Sequence, residues 1–302
     1  MDIRIMAEPQ RGASYRTQLV LAQAAESMGF SGFFRSDHYP TAPGGAASGL
    51  TDAWITLAGL ARETSTIRLG TMTTQATFRL PGLLAIQVSQ VDQMSNGRVE
   101  LGIGAGSCED EHRTYGIPFP PDRNARFEEQ LGILHTLWRL PGDSTHRHNG
   151  TYYQLEGCPS MPTPERGPIP VIVSGTDTPR AAVLAADYAN EYNAPFASVA
   201  EARAQFDYVR AVAHYRDDLV YSVTVAACVG RGEAEVTRRA GAAGRDVAEL
   251  RANGIAGTPN EAVEAILRYA EIGATRMYLC LDDMSDLDHL EAIASAVLPQ
   301  LE

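Results

Sequence analysis

Apolar and polar positions along this chain fall into blocks that switch between a strand rhythm and a helical one. Ile3 to Ala7 is a short apolar run ending at Glu8-Pro9, and Tyr15 to Met28 carries Leu19, Ala22, Ala25 and Met28 at helical spacing up to Gly29. Gly32 to Arg35 reads as a second strand closing on Ser36-Asp37-His38, and Asp52 caps a helix that runs through Leu60. The clearest stretch is Ile67 to Gly106. Ile67 to Met72 is a strand, Thr73 to Arg79 a polar loop, and Pro81 opens a helix carrying Leu83, Leu84, Ile86, Val88, Val91 and Met94 until Asn96-Gly97 stops it. Val99 to Ile103 is the next strand. Such a βαβ unit has parallel strands, so the loops that follow them open on one face.

Past Gly106 the rhythm breaks at SCEDEHRTYGIPFPPDR and resumes as a helix from Phe127 to Leu140. His146 to Pro170 is irregular, with a short hairpin around Tyr152-Tyr153-Gln154-Leu155. Val171 to Ser174, Glu191 to Asn193, Leu219 to Val229 and Met277 to Leu281 read as strands. Helices are expected over Arg180 to Tyr188, Val199 to Tyr215, Glu233 to Asn253, Thr258 to Ile272 and Leu287 to Leu298. About eight strands alternating with helices predict an α/β chain folded as one (β/α)8 TIM barrel over 1–302, with insertions near 39–50, 105–125 and 141–170. A doubly wound open sheet is the alternative, disfavoured because the strands do not fall into two halves.

Composition narrows the chemistry. A hydrophobic content of 44% in 302 residues supports a large buried core. A net charge of −12 argues against nucleic acid or an anionic membrane as partner. The basic residues are all arginine, which removes lysine Schiff bases and the P-loop lysine. Cys108, Cys158, Cys228 and Cys280 form no CxxC pair, no apolar run reaches the length of a membrane span, and Met1 leads straight into a strand. A cytoplasmic protein acting on a small molecule, with no metal, is the expectation.

Asp37-His38 stands where a barrel carries its catalytic rim, and histidine is the side chain whose ordinary pKa lies nearest neutrality; a turn His and a capping Asp is the plainer alternative. Gly102-Ile103-Gly104-Ala105-Gly106 has the spacing GxGxG, not the dinucleotide fingerprint GxGxxG, and either admits a flat ligand to main chain or makes a tight strand exit. Ser174-Gly175-Thr176 before a helix suits a phosphate, unless Asp177 simply caps that helix. Glu109-Asp110-Glu111-His112 reads as a solvated face, since contiguous residues do not converge on one metal ion. His135, His146 and His148 are expected in bland surface or core roles, and no GxSxG elbow is present.

Together, SDH after the second strand, LGTMTTQATFRLPGLLAIQVSQVDQMSNGRVELGIGAG, EHRTYGIPFPP and GTPNEAVEAILRYAEIGATRMYL resemble the bacterial luciferase-like superfamily, and within it the coenzyme F420-dependent oxidoreductases. The resemblance covers nearly the whole chain. It implies a non-prolyl cis peptide at Met72-Thr73 and a deazaflavin ring at the strand ends. Asp37, His38, Met72, Thr73, Gln75, Ala105, Gly106 and Ser107 are implied around that ring, and Ser174, Gly175 and Thr176 at its phosphate-bearing tail. His38, Asp37 and Glu8 are the implied catalytic groups, serving hydride transfer between the deazaflavin C5 and a small organic substrate. A homodimer is implied as well. The alternatives are an FMNH2-dependent monooxygenase needing a flavin reductase, and a non-catalytic flavin- or deazaflavin-binding protein. Two departures matter: Ser107 stands where sugar-phosphate dehydrogenases of the family carry a Glu, and the lysines that bind their substrate phosphate are missing.

Overall fold

The structure is a computed structural model that describes residues 1–39, 50–175 and 178–301. In chain order the elements are β1 (Asp2–Ala7), α1 (Tyr15–Ser27), β2 (Gly32–Arg35), α2 (Ala53–Glu63), β3 (Arg68–Gln75), α3 (Pro81–Ser95), β4 (Val99–Gly104), α4 (Glu109–Tyr115) and α5 (Arg123–Leu137). A hairpin of β5 (Thr145–Asn149) and β6 (Gln154–Pro159) follows, then β7 (Val171–Ser174), α6 (Thr178–Tyr188), β8 (Glu191–Pro195), α7 (Val199–Val212) and β9 (Val220–Val229). The chain ends with α8 (Glu233–Ala242), α9 (Val247–Asn253), β10 (Ile255–Gly257), α10 (Pro259–Glu271), β11 (Arg276–Leu281) and α11 (Leu287–Ala296).

Parallel pairing runs β9-β11-β1-β2-β3-β4-β7-β8, and β8 pairs back onto β9, closing an eight-stranded barrel. The barrel expectation holds. The open-sheet alternative fails on the β8–β9 pairing, which runs from Glu191 opposite Val220 to Pro195 opposite Thr224. β9 outlasts β8, and its last residues Ala227 to Val229 take β10 as an extra strand. That three-residue strand is too short to show a periodicity. The single helix expected over Glu233 to Asn253 is two, parted where Gly244 takes a φ of +66° and Asp246 accepts the Glu249 amide as a new N-cap.

Strand alternation divides the core. Ile3, Ile5 and Ala7 of β1 face the helical shell, whereas Arg4 and Met6 face the barrel interior. Met6, Phe34, Met72, Ile172, Tyr278 and Cys280 form the inner apolar layer. Towards the strand starts lies a buried charge cluster, in which Arg4 Nη1 donates to Glu100 Oε2 at 2.6 Å and Arg276 Nε to Asp2 Oδ2 at 2.6 Å. Arg68 also pairs with Glu100, and Arg276 with Glu191. Buried charges at the strand starts and an apolar layer above them leave the strand ends free for a cavity.

Candidate active site at the strand ends

A cavity of about 410 Å³ opens at the carboxyl ends of the strands, the face on which barrels of this kind carry their sites. Its wall includes Glu8 after β1, Ser36 and His38 after β2, Met72, Thr73 and Gln75 of β3, and Gly104 to Ser107 after β4. Ser174 and Gly175 after β7 complete the set. Thr176, expected beside them, lies outside the described residues. The Met72-Thr73 bond is cis, as the resemblance implies. It falls where the β3–β4 register shifts between Thr71 and Thr74.

His38 is held from one side. Its Nδ1 lies 2.9 and 3.0 Å from the two carboxylate oxygens of Glu111, and Nε2 has no partner among the described residues. Glu111 is itself fixed, accepting from Gln75 Nε2 at 2.8 Å and from the Tyr39 amide at 3.0 Å. Burial opposes charge on His38, but the hydrogen bond and charge of Glu111, with Asp37 and Glu8 behind it, raise its proton affinity above that of a free imidazole. Burial would likewise raise Glu111; the bonds from His38, Gln75 and Tyr39 prevail and hold it below the usual carboxylate range. With Nδ1 occupied, Nε2 is the ring nitrogen left for a ligand.

Two expectations are corrected here. The acidic run is not a solvated face: Glu109 and Asp110 are exposed, but Glu111 and His112 turn inward from α4, and His112 is wholly buried. His112 Nδ1 bonds to the Cys108 carbonyl and its Nε2 to Thr77 Oγ1, each at 2.7 Å. A seven-residue helix carries too few turns for its pattern to disclose the inner face. Asp37 does not reach the cavity either. It is fully buried on the other side of the strand end, where Arg79 binds it and also donates to Asp52 Oδ2 at 2.7 Å. Adjacent strand residues point to opposite sides, so a wall position for His38 turns Asp37 away. Asp37 therefore anchors the loop around Arg79 and makes no hydrogen bond to His38.

Glu8 stays in the wall, its carboxylate paired with Arg11, which also binds Asp282. Several wall residues carried no sequence signal, among them Arg123, Asn124, Phe196 and Thr224. Arg123 and Asn124 open α5, and Arg123 Nε donates to the Gly106 carbonyl at 3.0 Å while its guanidinium lies 4.6 Å above the Phe119 ring. Arg180 lies in the first turn of α6 beside Ser174-Gly175.

The wall fits a flat, phosphate-bearing group. Gly106 takes a φ of +91°, and a Cβ there would come within 2.6 Å of Thr77 Oγ1 and 3.0 Å of Gln75 Oε1. Bare main chain is therefore required at that point of the wall. Gln75 Oε1 is buried with no donor among the described residues, an acceptor open to a ligand's N–H. At the β7 end, the Ser174 hydroxyl, the start of an eleven-residue helix and Arg180 favour an anion.

The family model described as luciferase-like monooxygenase matches residues 2–249. The chain belongs to this family. Similar luciferase-like proteins include the F420-dependent glucose-6-phosphate dehydrogenase of Microbacterium testaceum, 33% identical over 172 residues covering 56% of this chain and 49% of that one. The oxygenase component of a flavin-dependent trigonelline monooxygenase from Acinetobacter baylyi is 30% identical over 174 residues, 56% of this chain and 45% of its own. The chain spans about half the length of these curated relatives. Among solved structures, an F420-dependent secondary alcohol dehydrogenase superposes with a TM-score of 0.85 at 18% identity, covering 100% of this chain and 99% of that one. A monooxygenase from Streptomyces bottropensis gives 0.82 at 20% identity, with both chains covered completely. These structural likenesses establish a shared barrel.

Proposed function

We propose that this luciferase-like protein is a coenzyme F420-dependent oxidoreductase acting on a small organic substrate, with His38 as its proton-transfer residue. The observation that carries the reading is the His38–Glu111 pair in the cavity wall, beside the cis Met72-Thr73 bond and the bare main chain of Gly106. Relatives named as F420-dependent dehydrogenases support the cofactor. Coenzyme F420, when bound, supplies a two-electron hydride donor or acceptor at its deazaflavin carbon. Met72, Thr73, Gln75, Ala105, Gly106 and Ser107 would hold its ring, and Ser174, Gly175 and Arg180 its phosphate.

The chain's own residues account for the proton. His38 Nε2 gives a proton to the substrate oxygen as the carbon bonded to it gains hydride, or takes one from that oxygen as the carbon loses hydride. Glu111 holds the ring through Nδ1, keeps Nε2 turned to the cavity and stabilises the imidazolium. Glu8, on the neighbouring strand, adds negative charge near His38. Sugar-phosphate oxidation is not favoured, because Ser107 offers no carboxylate and the chain has no lysine.

Relatives named as flavin-dependent monooxygenases give the FMN reading a specific footing. Titration of the purified protein with each cofactor separates the two. Quenching of F420 fluorescence at micromolar protein is expected, whereas tight FMN binding with no effect on F420 would sink the proposal. Oxygen uptake with reduced FMN would establish the monooxygenase instead. The homodimer belongs to the same reading; sedimentation as a monomer at micromolar concentration would remove it.

A further inference from the structure

Phe196 stands out among the wall residues that the proposed chemistry does not use. It follows β8 directly and takes a φ of +50°, a conformation that bulky side chains avoid and that recurs at functional sites. Its amide donates to the Thr224 carbonyl at 2.7 Å, carrying the β8–β9 pairing one residue past Pro195 and holding the backbone in place. Phe196 lines the cavity yet is 49% exposed, so burial does not account for its position.

Charge around the barrel is distributed unevenly. Among the described residues, the arc formed by β8, β9, β1 and β2 contributes Phe196, Thr224, Met6, Glu8 and His38 to the wall, and no arginine. The arginines of the described wall, Arg123 and Arg180, both belong to the β4–β7 arc, where the proposed cofactor's phosphate would lie. Residues 40–49, which follow the β2 end, contain no Lys, Arg or His. A phosphorylated or carboxylated substrate beside His38 would thus meet the Glu8 carboxylate, whose partner Arg11 stands outside the wall, and among the described wall residues of this arc no cation except the imidazole itself. An uncharged molecule would meet the Phe196 ring and the Met6 thioether, both suited to apolar groups.

We propose that Phe196 is a specificity-determining residue, a platform held at the cavity mouth for the alkyl or aryl group of an uncharged alcohol or ketone whose oxygen lies at His38. The inference rests on the oxidoreductase reading. Its binding part is testable without any cofactor.

Calorimetric titration of the purified protein with acetophenone and, separately, with glucose 6-phosphate supplies the first readout. Acetophenone is expected to bind the more tightly, and Phe196→Ala to weaken it by about fivefold or more, the equivalent of one lost aromatic contact. Phe196→Gly is expected to weaken it equally. Glycine accepts the positive φ, so this variant should retain the thermal midpoint and separates loss of the ring from loss of the fold. Phe196→Leu should restore part of the affinity. With F420 supplied, the same variants should raise KM for 1-phenylethanol while kcat changes little. Wild-type affinity in both the Ala and Gly variants, tighter binding of glucose 6-phosphate, or no acetophenone binding by the wild type would each overturn the proposal. Acetophenone binding that depends on Phe196, in a protein that does not quench F420 fluorescence, would uphold the platform and overturn the deazaflavin reading alone.

Discussion

At the scale of single residues, the pair formed by His38 and Glu111 decides what the cavity can do. His38 stands out in the sequence, at the end of a strand in a barrel. Glu111 does not, because it is one of three acids in a row and only the folded α4 separates the two that face water from the one that faces His38. Replacing Glu111 with Gln removes the charge that raises His38. The imidazole NMR titration is then expected to move to lower pH, with kcat falling on the order of tenfold to a hundredfold. An unmoved midpoint would show that Glu111 does not set the proton affinity. The pair also has a pH window for stability. His38, raised on folding, contributes fully below its unfolded value and loses that contribution as pH rises through its folded one. Glu111, lowered on folding, contributes above its unfolded value and loses it as pH falls through its folded one. Both contributions coincide between about pH 4.5 and 6.5, the ordinary values of the two groups.

At the scale of elements, the βαβ unit from β3 to β4 was legible in its order and in both ends of its helix, but β3 runs on to Gln75 where a loop was expected from Thr73. Pro81 opens α3, Asn96 closes it at a φ of +63°, and the two loops after its strands meet in one cavity. What the pattern did not disclose is how closely the strands approach. A Cβ on Gly102 would collide with the Thr71 carbonyl oxygen, beside the bulge that carries the cis bond. Gly102→Ala is therefore expected to lower stability by about 3 kcal/mol, at the upper end of overpacking costs, because backbone cannot yield as a flexible side chain does. Urea unfolding measures it, and a loss below about 0.5 kcal/mol, the range of ordinary surface substitutions, would contradict the close approach. A hairpin was expected around Tyr152 to Leu155, but the strand Thr145–Asn149, its register with β6 and the shift between His146 and His148 are set by pairing.

At the scale of the whole molecule, the barrel is tied together opposite its cavity by charges that no local pattern links. Arg4 on β1, Arg68 on β3, Glu100 on β4, Glu191 on β8 and Arg276 on β11 come from five strands. Glu100 is nearly inaccessible, its burial more than offset by Arg4 and Arg68, so it is held charged. Glu100→Gln leaves Arg4 buried without its main counterion and is expected to cost about 3–5 kcal/mol in denaturant unfolding. The cavity at the opposite end should remain the same shape, so any cofactor affinity should change little in the folded fraction. A loss of less than about 1 kcal/mol would show that the cluster behaves as a solvated surface network.

By itself the sequence determined the alternation of strands and helices, the parallel strands that follow from it, and the strand ends at which chemistry is expected. These are short-range matters, governed by side-chain period, caps and turn residues within a few positions of one another. Only the tertiary structure decided that β8 pairs with β9 to close the ring. It also decided that Glu111, 73 residues from His38, is the imidazole's partner, and that Asp37 turns away to Arg79. Phe196 and the unequal distribution of arginine around the wall belong with these. Which of two adjacent side chains faces a cavity depends on strand tilt and loop packing across the whole barrel, and that is settled only when the ring is closed.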